Sequence, residues 1–374
     1  MRIAVLGGGQ LGRMLALEGI PLGHRFTFLE PSPAPPAGPL GTVVAAPYDD
    51  RAALARVADT ADVVTCEFEN VPAASADFLA ARLPVLPPPA ALQAAQDRLA
   101  EKELFRRLGI PTAPFHPLRT PAQLDAALGT TGLPAVIKTR RFGYDGKGQV
   151  VARSAAEAAA ALDVLGAELI AESFVRFTRE LSILAVRGRD GDRVFYPLTE
   201  NHHHDGILVA SYAPAPRITP ALQAAAEAMA ERVMERLDYV GVLAIELFEA
   251  RGRLLANEMA PRVHNSGHWT LDGAATSQFE NHVRAVTGLP LAVPRMAGPA
   301  AMLNIIGELP DAVEVASVPG AHLHLYDKTP RPGRKLGHVN VTGGDEAAVR
   351  ATARRVRELL GGESSSLPAA VSRG

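Results

Sequence analysis

From residue 1 to about residue 90, short apolar runs alternate with helix-length segments. IAVL from Ile3, FTFL from Phe26, VV at Val43 and DVVT from Asp62 are the apolar runs. This βαβ pattern predicts a parallel sheet. Residues 96–108, QDRLAEKELFRRL, then place Ala100, Leu104 and Leu108 on one helical face with Phe105 beside them. That helix should end at Gly109, and Ile110-Pro111 should open an extended linker. On the default reading of an amphipathic helix, Arg98 and Lys102 are solvated charges.

The pattern then changes. Pro134-Ala135-Val136-Ile137-Lys138 reads as a strand, followed by the loop Gly143-Tyr144-Asp145-Gly146-Lys147-Gly148-Gln149 and another strand, GQVVA. Three glycines between two strands suggest a hairpin flap whose backbone N–H groups can cradle phosphate. It is not a Walker A loop, because no G-x-x-x-x-G-K-[ST] occurs and a strand follows. Ser154 and Glu157 predict a capping box for a helix over 155–165. A strand over 168–175 carries Glu172, and Glu180 opens the next one. Further strands are expected near 180–187, 193–199, 301–306 and 321–326, with helices near 219–237, 274–287 and 345–360.

The stretch from Leu243 to His268 organises the rest. Apolar runs at 241–248 and 254–259 flank Arg251-Gly252-Arg253, which predicts a hairpin with a three-residue loop. Centred on Gly252, that hairpin sets Glu246 opposite Glu258, with Cβ atoms ~5 Å apart. Facing like charges destabilise a sheet unless a cation lies between them. Oxygen ligands from two carboxylates suit Mg²⁺, which leaves its other positions to water and nucleotide phosphate, and Asn257 adds a neutral oxygen. The bland alternative is a surface hairpin with both glutamates in water. Arg262, His264, Asn265 and His268 follow at once, a concentration of anion-binding and proton-handling groups that favours the metal reading.

Gly7-Gly8-Gly9-Gln10-Leu11-Gly12 satisfies G-x-G-x-x-G between a strand and a helix, and Glu30 ends the second strand about 20 residues on. This is the dinucleotide fingerprint, although any anion could approach such a helix N-terminus. Residues alone leave NAD open here. A second acidic cluster, Glu67-Phe68-Glu69-Asn70, follows the fourth strand, at the sheet edge where α/β proteins bind ligands. His202, His203 and His204 tempt a zinc reading, but successive residues of an extended segment point to opposite faces. KTPRPGRK, 328–335, holds four cations in eight residues and reads as a phosphate clamp or a solvated loop.

Length and composition narrow the class. With 374 residues, two or three domains are expected. The boundaries fall at 1–114 for a parallel α/β domain with its linker helix, 115–178 for the small flap domain and 179–361 for a mixed α+β domain. The tail 362–374 is expected to be disordered. A net charge of −2 argues against nucleic-acid or polybasic membrane binding. Cys66 is the only cysteine, so no internal disulfide forms and a reducing compartment is expected. MRIAVLGGG has no signal-peptide h-region, and no run has the roughly 18 apolar residues of a span, so a cytoplasmic location is expected.

GGGQLGRM, EFENVP, LGIPTAP, FGYDGKGQ, FYPLTEN, NEMAPRVHNSGHWT and RPGRKLGHVN, in that order, together resemble the 5-(carboxyamino)imidazole ribonucleotide synthase family of ATP-grasp enzymes. The resemblance runs to about residue 342, and APRVHNSGHWT with RPGRK is its most specific part. It implies an ATP-grasp fold and a ligase reaction of purine synthesis, in which ATP, bicarbonate and aminoimidazole ribonucleotide give the N-carboxylated nucleotide, ADP and phosphate. By resemblance, Arg98, Lys138, the flap Gly143–Gln149 (Tyr144, Asp145, Gly146, Lys147 and Gly148 included), Glu172, Ser173, Phe174, Val175, Glu180, His203, Asn257 and Glu258 are ATP positions. Glu246 and Glu258 match the Mg²⁺ site, for one or two ions. Arg262, His264 and Asn265 match the groups around bicarbonate and carboxyphosphate. Gly9, Gln10, Leu11, Glu67, Tyr144, Lys328, Arg334 and Lys335 match the ribonucleotide site. The glycine turn then faces that nucleotide, and no NAD is expected. The resemblance further implies a homodimer. Another ATP-grasp ligase, such as a formate-dependent glycinamide ribonucleotide transformylase, shares the scaffold, but the late motifs fit it less well. A non-catalytic nucleotide-binding regulator would not need both hairpin carboxylates and both lysines.

Overall fold

The computed structural model describes residues 1–143, 148–166 and 168–361. The expectations for Tyr144, Asp145, Gly146 and Lys147 and for the tail therefore fall outside the described residues. Three sheets carry the chain. The first is fully parallel, in the order Thr42–Ala45, Arg25–Glu30, Arg2–Leu6, Val63–Cys66. The helices Gln10–Gly19, Arg51–Thr60 and Ala73–Ala80 alternate with these strands, as the apolar pattern predicts. The second sheet is antiparallel, in the order Phe115–Leu118, Leu169–Ser173, Ala135–Thr139, Gln149–Ala152. Helix Ala155–Leu165 in that region begins on the Ser154 hydroxyl, which accepts from Glu157 N. The Glu157 carboxylate caps Arg153 N, one residue before the expected partner.

The third sheet has nine antiparallel strands. Its path runs Arg253–Ala260, Gly241–Ala250, Arg179–Arg187, Thr199–His204, Ile207–Ala213, Ala300–Ile306, Lys335–Thr342, Ala321–Leu325, with Arg193–Phe195 also on Arg179–Arg187. Thr199–His204, Ile207–Ala213 and Lys335–Thr342 escape the alternation pattern because their core positions include polar groups. Asn201, Ser211, His338 and Asn340 are all buried. Among the described residues no helix is long and apolar enough to cross a membrane.

Helix Arg98–Arg107 departs most from its expectation. It packs between sheets and buries Leu99, Glu101, Lys102, Leu104 and Phe105, more than one stripe. Lys102 is not a solvated charge: it is 1% exposed. A helix covered from two sides loses the single-faced pattern on which the solvated reading rested.

Candidate active site

One cavity of about 620 Å³ opens where the three sheets meet. Its walls include Gln10, Glu67, Arg98, Lys138, Glu172, Val175, Glu180, His203, Glu246, Asn257, Glu258, Arg262, His264, Asn265 and Lys335. Residues separated by more than 300 positions thus face one space.

The hairpin Gly241–Ala250/Arg253–Ala260 supplies its central carboxylates. Glu246 and Glu258 are direct cross-strand partners, as the sequence predicts, but by a different route. The turn has two residues, Arg251 and Gly252, both with positive φ (52° and 72°). That geometry matches the twist of a tight hairpin better than the three-residue loop expected. The shorter turn alone would offset the glutamates by one residue. A bulge restores the register: Leu247 pairs with Ala256, so Asn257 is the extra residue. Asn257 Oδ1 is buried and has no hydrogen-bond partner. An orphan amide oxygen beside two facing carboxylates is a donor set for a hard cation. Among the described residues no group of three or more His, Cys, Asp or Glu could hold a metal, so a cation here would lean on substrate oxygens or water.

Each glutamate also has its own positive partner. His264 Nε2 lies 3.2 Å from Glu246 Oε1, and Arg98 Nη1 donates to Glu258 at 2.7 Å. Burial by itself would raise the Glu246 pKa. The hydrogen bond from His264, with the charges of His264, His203 and Lys335, outweighs it and brings the group down to about 2. Glu246 is therefore anionic at neutral pH.

Beneath the hairpin lies a buried charge cluster. Glu172 bridges Lys102 at 3.1 Å and Lys138 at 3.2 Å. Burial opposes its ionisation, yet the two lysines hold its pKa at about 2. Glu101 accepts from Met259 N at 2.6 Å. Burial first, then the charge of Glu258, push its pKa up to about 8, so it is mostly neutral at pH 7. Among the described residues, the ion-pair partners of Lys102, Lys138 and Arg98 are Glu172 and Glu258, and the excess positive charge suits an incoming polyphosphate.

The segment after the hairpin turns back over the cavity. Arg262 Nε donates to Glu69 at 2.5 Å, and its Nη1 donates to Val263 O at 3.1 Å. His264 Nδ1 sits 2.8 Å from Ser266 Oγ, which fixes the ring with Nε2 on Glu246. Asn265 and Asn304 exchange amide hydrogen bonds of 3.1 and 2.7 Å. On the other wall, His203 Nδ1 is 2.7 Å from Glu180. Strand alternation sends His202 to the opposite face, against Tyr212 and Glu200. Of the three histidines, only His203 lines the cavity.

The glycine turn is filled from within. Glu67 accepts from Gly9 N and, at 2.6 Å, from Gly12 N; Glu30 accepts from Gly8 N at 3.0 Å and from Tyr48 Oη at 2.8 Å. The N–H groups that a pyrophosphate would need already bind the chain's own carboxylates, and the acid expected at a ribose is one of them. Glu67 still lines the cavity, but both its oxygens serve the turn. Gln10 turns outward and accepts from Lys328 Nζ, which joins the turn to the basic loop.

Most of the expected positions converge. Ser173, Phe174 and Val175 line the cavity mouth, with Ser173 Oγ tied to Thr131 O at 2.7 Å. Gly143 O accepts from Arg98 Nη2 at 3.2 Å at the flap base, and Gly148 takes a positive φ of 72°. Arg334 is not a wall residue: its Nη1 donates to Thr329 O at 3.0 Å within the basic loop. Sequence reasoning missed Lys102, Glu101, Glu69 and Tyr326. Only Glu69 left a signal, within the acidic cluster after the fourth strand.

Residues 1–96 match the family described as ribonucleotide synthetase preATP-grasp domain, 103–279 the ATP-grasp domain, and 300–352 the phosphoribosylaminoimidazole carboxylase C-terminal domain. The N5-carboxyaminoimidazole ribonucleotide synthase of Pseudomonas aeruginosa is 51% identical over 361 residues, 96% of this chain and 99% of that one. The crystal structure of N5-carboxyaminoimidazole ribonucleotide synthetase from Thermus thermophilus superposes with a TM-score of 0.94 at 54% identity, covering 98% and 99% of the two chains. The Aspergillus clavatus N5-carboxyaminoimidazole synthase, solved with ADP and 5-aminoimidazole ribonucleotide, gives 0.89 at 32% identity over 96% and 98%. The cavity geometry and these likenesses agree: the chain is an ATP-grasp ligase and belongs to the N5-carboxyaminoimidazole ribonucleotide synthase family.

Proposed function

We propose that the protein carboxylates 5-aminoimidazole ribonucleotide on its exocyclic amine, using bicarbonate and ATP, in purine nucleotide synthesis. The observation that carries the residue-level reading is the facing pair Glu246 and Glu258 with the orphan Asn257 Oδ1, in one cavity with Lys138, Arg262 and Lys335. A bicarbonate oxygen attacks the γ-phosphorus of ATP, and the bond to the ADP oxygen breaks. Carboxyphosphate and ADP result. The amine nitrogen then forms a bond to the carboxyl carbon, directly or after CO₂ is released. Phosphate leaves, and the amine loses a proton.

Such phosphoryl transfer needs alignment and charge neutralisation more than covalent help. Lys138 and Arg98 would hold the phosphates from the floor. Glu246, Glu258 and Asn257 would hold Mg²⁺, which when bound would neutralise charge on the transferring group. Arg262 would present its guanidinium to carboxyphosphate, oriented by Glu69. His264, held between Ser266 and Glu246, is the candidate to handle the amine proton. Phe174, Val175 and Phe177 would flank the adenine at the cavity mouth. Lys328, Arg334 and Lys335 would hold the ribonucleotide phosphate. A transformylase that uses formate shares this scaffold. It is not favoured, because residues 300–352 match the carboxylase C-terminal description.

The test is ADP release from Mg-ATP and bicarbonate with and without aminoimidazole ribonucleotide. Strong stimulation with a carboxylated product is expected. Protein that binds ATP but shows no stimulation would rule out this acceptor.

A further inference from the structure

The basic loop 327–334 is closed at its base by a side-chain pair that no step above uses. Strands Ala321–Leu325 and Lys335–Thr342 pair antiparallel, with His324 opposite His338 and Leu325 opposite Gly337. The next rung is Tyr326 N donating to Leu336 O at 2.9 Å. Beyond it the chain turns through Asp327, at φ 56°, into the loop carrying Lys328, Arg331 and Arg334. Across this base Tyr326 Oη lies 2.7 Å from His338 Nδ1. Tyr326 is 2% exposed and His338 is fully buried.

The pair is held from both sides. His338 stacks on His324, with centroids 4.5 Å apart and planes 6° apart, and its ring is 4.9 Å from that of His268. His324 is anchored by Asp272 at 2.8 Å, and Asn340 donates to the same carboxylate at 2.7 Å. Burial, with His268 and His324 nearby, keeps His338 well below its ordinary pKa and therefore neutral. Its Nε2 has no partner, so Nδ1 makes the ring's one side-chain hydrogen bond. The other end of this framework reaches the site. Tyr326 lines the cavity, and Lys328 Nζ lies 5.7 Å from its ring centroid while bonding Gln10.

We infer that the Tyr326–His338 hydrogen bond is a positioning pair that sets loop 327–334, and Lys328 in particular, to receive the phosphate of the ribonucleotide. This rests on the reading that Lys328, Arg334 and Lys335 bind that phosphate. Without the bond the loop base loses its buried side-chain tie, and more of the ordering of the cations must come when substrate arrives.

The test is steady-state kinetics of the full-length enzyme, with KM measured separately for aminoimidazole ribonucleotide and ATP and thermal unfolding recorded beside them. Tyr326→Phe and His338→Leu are expected to raise the ribonucleotide KM about 5- to 10-fold, the size of one lost hydrogen bond. The ATP KM should change less than about 2-fold. His338→Asn, whose amide oxygen can take the place of Nδ1, should restore the ribonucleotide KM to within about 3-fold of wild type. Lys328→Ala separates the layers. If it raises the ribonucleotide KM while Tyr326→Phe does not, the positioning pair is refuted and the clamp stands. If Lys328→Ala has no effect, both fall together. If Tyr326→Phe raises both KM values in step with lost thermal stability, the pair is merely structural. Should His338→Leu fail to fold, Tyr326→Phe, which keeps the ring, decides alone.

Discussion

Two pairs of glutamates, of which Glu67, Glu246 and Glu258 line the cavity, do opposite things. Glu30 and Glu67 come from the ends of parallel strands and turn on to the glycine loop, where backbone N–H groups of Gly8, Gly9 and Gly12 satisfy them. Glu246 and Glu258 face each other across a hairpin, held by His264 and Arg98, with an unsatisfied amide oxygen between them in sequence. By motif, the first region is an anion site and the second a repulsive defect. By hydrogen-bond accounting, the first is closed and the second is ready for a cation. What a carboxylate does is decided by what already satisfies it.

The sharpest way to break this contrast is to remove one charge from each pair. Glu258→Gln should lower ribonucleotide-stimulated ADP release by about 10³-fold, the scale of losing a charge-stabilising group. Glu67→Gln should leave turnover at saturating substrates within about 10-fold of wild type, because its loss is structural. Equal losses in both variants would erase the distinction.

The buried cluster under the hairpin gives the next largest effect. Glu172→Gln leaves Lys102 and Lys138 as uncompensated cations and should cost about 3 kcal/mol in denaturant unfolding. The wild-type pH dependence has a defined sign. The folded pKa of Glu172 is about 2, below its ordinary 4.5, so its stabilisation is present above pH 4.5 and is lost as pH falls from there towards 2. The variant should lose less stability than wild type over that window. A wild type whose stability is flat there would contradict the assignment.

A smaller effect sharpens the closed side. Glu67→Gln puts an amide NH₂ against a glycine N–H and should destabilise the fold by about 1–3 kcal/mol, read from thermal or denaturant unfolding. The smallest concerns specificity. Arg334→Ala should raise the ribonucleotide KM about 10-fold and leave the ATP KM unchanged. A shift in the ATP KM alone would move Arg334 to the other substrate.

Much of this was legible in the chain. The parallel sheet follows from alternating apolar runs. The facing of Glu246 and Glu258 follows from the hairpin, although the expected three-residue loop is a two-residue turn corrected by the Asn257 bulge. Two compensating single-residue offsets cannot be separated by a period of two. Lys102 reads as a surface charge, and Glu101 gives no signal, because helical periodicity reports one buried stripe, whereas their helix is covered on two sides. The strand Lys335–Thr342 hides for a related reason. His338 and Asn340 are polar yet fully buried, and the partners that make this tolerable, Tyr326, Asp272 and the carbonyl of His268, lie 12 to 72 residues away. The glycine fingerprint was legible as a turn, but its filling by Glu67 was not, because the 55 or 58 residues between donor and acceptor carry no local signal.

The most direct test of the contrast is Mn²⁺ binding in the presence of ADP, followed by electron paramagnetic resonance. Wild type and Glu67→Gln should both retain a nucleotide-dependent Mn²⁺ site, and the Glu246→Gln/Glu258→Gln double variant should lose it while still binding ADP. Retention of that site in the double variant would contradict the assignment of the hairpin carboxylates.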